Sequence, residues 1–62
     1  MSKEIVLIVE DNLPLREALR EILIYDDYAV VTASNGLEAL EKMSITSPDL
    51  IRLGTLGASI SR

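Results

Sequence analysis

Residues Ile5-Val6-Leu7-Ile8-Val9 are continuously apolar and mostly β-branched. A strand that is apolar on both faces belongs in the middle of a parallel sheet covered by helices on each side. The run ends at Glu10-Asp11-Asn12, and Pro14 follows where the first turn of a helix tolerates a missing N–H. Asp11 or Asn12 can cap that turn. Leu15, Ala18, Leu19, Ile22 and Leu23 then recur at i, i+3, i+4, i+7 and i+8, one stripe of a helix whose other side carries Arg16, Glu17, Arg20 and Glu21. Asp26-Asp27 breaks the pattern. Tyr28 to Ala33 reads as a second strand, and Ser34-Asn35-Gly36 as the next turn, with Ser34 or Asn35 as cap. Leu37, Ala39, Leu40 and Met43 give a second helix its apolar side, and Ser47-Pro48 stops it, because the residue before proline is pushed out of the α region. Asp49-Leu50-Ile51 opens a third apolar run.

Strand, helix, strand, helix, strand at this spacing predicts a βαβαβ unit with right-handed crossovers and a parallel sheet. After Ile51 the pattern is lost. Residues 52–62 contain no acid, no helical stripe and no clean strand alternation. They read as a frayed terminus, the ordinary behaviour of chain ends.

Composition narrows the chemistry. The chain has 62 residues, no cysteine and no histidine. Disulfides, cysteine/histidine zinc sites and Ser-His or Cys-His catalysis are excluded. Hydrophobic residues make up 48% and mean hydropathy is +0.28, which argues for a folded chain rather than a disordered one. A chain this short buries only about 60% of its unfolded surface, so the apolar content exceeds what one small core can hide. All ten acids lie in residues 1–51, against four basic residues, while Arg52 and Arg62 are the only charges beyond. An acidic chain repels phosphate backbones, so nucleic acid is not an expected partner. The apolar run at residues 5–9 is too short for a secretory h-region of about 7–15 residues, and nothing approaches a membrane span of about 18. The expectation is a cytoplasmic chain with neither nucleic-acid nor membrane partners.

Glu10 and Asp11 are the sharpest local feature. They follow the carboxyl end of the predicted central strand, where ligands of open parallel sheets gather. Two adjacent carboxylates there could hold a hard cation such as Mg²⁺, or could simply start the helix through capping and the dipole. Gly54-Thr55-Leu56-Gly57 is no phosphate loop, since the P-loop lysine is absent. Tyr25 and Tyr28 read as packed beside the sheet, and Met43 as core.

Several stretches together decide between those readings. Ile5 to Asn12, Leu15-Arg16, Leu19, Asp27-Tyr28-Ala29-Val30, Ala33 to Leu40 and Pro48-Asp49-Leu50-Ile51 stand in order and at the right spacing. Over about residues 3–51 the chain resembles the amino-terminal part of the receiver domain of two-component response regulators. At Asp27 the family often has glycine. The resemblance implies an α/β, partial flavodoxin-like fold: a three-stranded parallel sheet in order 2-1-3 with helices on both faces, from a family sheet ordered 2-1-3-4-5. It implies residues 1–51 as a truncated receiver-like unit and 52–62 as a divergent tail, disordered or used in dimerisation. The loss of acids and pattern at Ile51 is what a change of reading frame would leave.

By the same resemblance Glu10 and Asp11 match the acidic pair that positions Mg²⁺. The phosphate-accepting aspartate falls, counting from Pro48-Asp49-Leu50-Ile51, on Gly54, and Arg52 stands in an otherwise apolar strand. The family's later Ser/Thr and Lys have no counterpart. Phosphoryl transfer needs a carboxylate nucleophile, a metal and a lysine. The chain therefore reads as a non-enzymatic, phosphorylation-incompetent relative of phosphorelay receivers, with weak Mg²⁺ binding at Glu10 and Asp11 as a remnant. An uncovered sheet edge recruits other strands, so a symmetric homodimer through the third strand or the tail is expected. The rival reading is a non-catalytic module that binds a sensor histidine kinase or another receiver.

Overall fold

The computed structural model describes residues 3–54 and, as a strand, residues 58–61. The elements run β1 (Ile5–Val9), α1 (Leu13–Tyr25), β2 (Ala29–Ala33), α2 (Gly36–Thr46), β3 (Leu50–Leu53) and β4 (Ala58–Ser61). They form one sheet in the order β2-β1-β3-β4. β1 pairs in parallel with β2 on one side, Leu7 opposite Val31, and with β3 on the other, Leu7 opposite Ile51. The βαβαβ unit and its 2-1-3 parallel order are as the sequence predicts.

β1 is central because it alone can be apolar on both faces. Val6, Leu7 and Ile8 are fully buried. Side chains alternate along a strand, so Leu7 faces one way and Val6 and Ile8 the other. Leu7 clusters with Ala33 and with Ala39 of α2, and Val9, Val31, Met43 and Ile51 pack around them. α2 thus covers the Leu7 face. α1 touches β1 and β2 but not α2, so it covers the opposite face, over Val6 and Ile8.

The helix ends follow from local chemistry. Asn12, not Asp11, caps α1 by accepting from the Leu15 N–H at 2.9 Å, and Asn35 caps α2 by accepting from Glu38 N–H at 2.8 Å. Ser47 leaves α2 in the left-handed region at φ 47°, with Pro48 next. At the end of α1, the Tyr28 N–H donates to Leu23 O and the Asp27 N–H to Ile24 O, both at 3.0 Å. That pair of bonds is the Schellman closure, which places Asp27 at the left-handed position, φ 71°. The family's preference for glycine here thereby acquires a cause. Asp27→Gly should raise stability by about 0.5–1 kcal/mol, since the exposed Lys3–Asp27 pair it removes (3.4 Å) contributes little. A urea titration showing no gain would refute this.

Three expectations change. Residues 58–61 are not frayed: β4 pairs antiparallel with β3, Ile51 opposite Ile60 and Leu53 opposite Ala58. The third-strand edge, expected to recruit a second copy, is therefore occupied by the chain's own β4. The expectation of disorder for residues 55–57 and 62 lies outside the described residues. Tyr28 is half-buried, but Tyr25 is exposed rather than wedged beside the sheet.

The candidate metal and acceptor site

The carboxyl ends of β1 and β3 converge. Beyond Val9 the ladder continues on both sides: the Glu10 N–H donates to Ala33 O at 3.0 Å, and the Gly54 N–H donates to Val9 O at 3.1 Å. This register sets Glu10 against Gly54, with 43 residues of chain between them closed by two helices. Glu10 is buried, 2% exposed, and its Oε2 accepts from the Asn12 N–H at 3.0 Å. Arg16 Nη1 donates to the Glu10 carbonyl at 3.0 Å. The adjacent Asp11 is exposed. The two acids that the sequence places together thus lie in different environments, one locked at the sheet end and one in water.

The space beside Gly54, the position that the resemblance assigns to the phospho-acceptor, is full. A Cβ on Gly54 would lie 2.6 Å from Glu10 Oε1, and 3.0 Å from both Glu10 Cβ and Leu19 Cδ1. Glycine is the residue that fits without displacing Glu10 or α1. Asp49 sits at the far end of the sheet: its Oδ2 accepts from the Ile5 N–H at 2.8 Å and its own N–H donates to Ile5 O at 2.8 Å. It stitches β3 to the start of β1 and is remote from Gly54.

Sequence reasoning missed Arg16 as the anchor of the Glu10 backbone. It placed Arg16 on the polar side of α1, whereas the guanidinium reaches back six residues to the strand end. The only signal was a long donor one turn into the helix that follows the strand end.

Receiver domains typically hold Mg²⁺ beside the acceptor. Mg²⁺ requires near-octahedral oxygen coordination, commonly from carboxylates, substrate oxygens and water. Among the described residues no three His, Cys, Asp or Glu side chains converge, and one oxygen of Glu10 already accepts from Asn12. The residues present do not make a tight Mg²⁺ site. Among the described residues no helix is long and apolar enough to cross a membrane.

Comparison with known proteins agrees with this geometry. The family model described as the response regulator receiver domain matches residues 6–54, so it ends on Gly54 itself. The chain is 47% identical over 55 residues to the protein-glutamate methylesterase/protein-glutamine glutaminase 2 of Carboxydothermus hydrogenoformans, covering 86% of this chain and 16% of that protein. It is 37% identical over 51 residues to response regulator MprA of Mycobacterium ulcerans, covering 82% and 22%. To hybrid signal transduction histidine kinase D of Dictyostelium discoideum it is 46% identical over 50 residues, covering 81% and 3%. The chain thus spans less than a quarter of the length of each of these relatives. No solved structure matches. With three parallel strands in the order 2-1-3, an acidic pair at the end of the central one and a family match across most of its length, the chain belongs to the response regulator receiver domain family.

Proposed function

We propose that this chain is a receiver-family element of phosphorelay signalling that does not accept a phosphoryl group, does not turn over a substrate, and acts in the cytoplasm through protein contact. The observation that carries the reading is Gly54. Phosphoryl transfer to a receiver forms a bond from a carboxylate oxygen to phosphorus, and glycine offers no nucleophile. The crowding by Glu10 and Leu19 supports it further, since the position is filled rather than open. Mg²⁺ binding through Glu10 and Asp11 is weak, a remnant of the family's site.

The test is direct. Incubation of the chain with a small acyl-phosphate donor and Mg²⁺ leaves the intact mass unchanged. A stoichiometric phosphoryl adduct, mapped to any residue, would overturn the proposal.

Self-association is part of the proposed role. The exposed apolar side chains of α1, Leu15 and Ile22 among them, support it, because a helix built to be covered on that flank is not covered within the chain. A second reading, binding of a histidine kinase or an intact receiver, draws on the same exposed flank. A pull-down against histidine kinase dimerisation domains separates the two.

A further inference from the structure

The sequence stripe on α1 is only half used. Leu19 and Leu23 lean on the sheet, while Leu15, Ala18 and Ile22 remain exposed, Ile22 at 58%. Leu19 fixes which way this flank looks. Its Cδ1 lies against the position of a Gly54 Cβ, at the end of β3. Leu15 and Ile22 stand four residues before and three after Leu19, hence on the same side of the helix. The uncovered flank therefore overlooks β3.

Below it, no helix among the described residues covers the floor. Leu50 and Arg52 are in register with Val6 and Ile8, so they share the sheet face that α1 covers. α1 lies over β1 and β2 and leaves β3 without a helix above it. Arg52 is half-buried there, and its Nε is inaccessible to solvent without a hydrogen-bond partner. Among the described residues Arg52 makes no ion pair, and the natural complement of its guanidinium is a carboxylate. The rim of the same helix supplies one. Glu21 follows Ala18 by three residues and is exposed.

We propose that the β3-facing flank of α1 and the floor around Arg52 form a self-complementary surface that docks a second copy of this chain about a two-fold axis. Leu15, Ala18 and Ile22 of the two copies pack together, and Glu21 of each copy meets Arg52 of the other. The acceptance of a second copy rests on charge. Each copy carries both halves of the pair, the exposed Glu21 on the rim of α1 and Arg52, which makes no ion pair among the described residues, in the floor, so the surface is complementary to itself. The inference deepens the self-association proposed above and moves it from the strand edge to the helix face.

Sedimentation equilibrium on the full 62-residue chain tests it. The unmodified chain is expected to be dimeric at micromolar concentration. Ile22→Glu should weaken the dimer by at least about tenfold with an unchanged far-UV circular dichroism spectrum, because Ile22 is exposed and adds little to the fold. Ile45→Glu on α2, 78% exposed, should leave the dimer intact. Glu21→Arg should weaken it, and Glu21→Arg combined with Arg52→Glu should restore it. A monomeric parent chain, a dimer indifferent to Ile22→Glu, or equal losses from Ile22→Glu and Ile45→Glu would each overturn the surface. So would failure of the charge exchange in a variant that remains folded. None of these outcomes changes the phosphorylation result, so the two proposals fail separately.

Discussion

Leu7→Ala should leave the chain largely unfolded at room temperature. Leu7 is fully buried at the centre of the central strand, and Ala33 and Ala39 close over it. Both neighbours are small, so neither can expand into the space a missing isobutyl group leaves. Leucine-to-alanine changes at such sites cost about 2–5 kcal/mol. A core in a domain this size rarely supplies more than about 3–5 kcal/mol. The loss is therefore comparable to the whole. Ile45→Ala on the exposed side of α2 is the matching control, expected within about 0.5 kcal/mol of the parent. Urea titrations at one fixed protein concentration read both, since association would otherwise shift the midpoints. A cooperative Leu7→Ala transition within about 1 kcal/mol of the parent would mean that the core lies elsewhere.

Gly54→Asp has the second large effect, and its size depends on the solution. Without metal it destabilises. The new Cβ meets Glu10 and Leu19 at 3.0 Å or less, and overpacking of this kind costs about 1–3 kcal/mol. The introduced carboxylate also lies beside the Glu10 carboxylate. A like charge raises the folded-state pKa of the introduced carboxyl above its unfolded value. A carboxyl with a raised folded pKa favours the native state when protonated and disfavours it when ionised. The penalty is thus smaller at low pH and grows as pH rises through the carboxylate range. With millimolar Mg²⁺ the penalty shrinks, because a cation held between the introduced carboxylate and Glu10 binds only the folded state and stabilises it by mass action. The expected result is a melting temperature below the parent's in chelator, raised by Mg²⁺ in the variant and nearly unmoved by Mg²⁺ in the parent. Equal Mg²⁺ responses in both proteins would refute the expectation that a carboxylate at position 54 joins Glu10 in holding the cation.

Most of the parallel unit could be read from the residues because its signals are local. A five-residue apolar, mostly β-branched run, a proline one residue into a helix, and Ser47-Pro48 after another each act within a turn of the chain. What escaped depends on distant partners. Residues 58–61 carry no alternation, and their strand comes from the open edge of β3, which will pair with whatever backbone is tethered beside it. The different fates of Glu10 and Asp11 depend on the β1–β3 register, which brings Gly54 next to the first and not the second. The α1 stripe shows a third limit. Its five apolar positions report the surface the helix is suited to bury, whereas Leu15, Ala18 and Ile22 show how little of it the sheet beneath can reach.

β4 occupies the ladder position beside β3, and it runs antiparallel there. In the receiver sheet the strand next to the third is parallel, so one slot has two mutually exclusive tenants. Any polypeptide supplying the rest of a receiver sheet must first peel residues 58–61 away. Reconstitution is then a strand-exchange reaction rather than a simple docking, and its rate is governed by how often β4 opens. Residues 58–61 therefore compete for the β3 edge with any such strand.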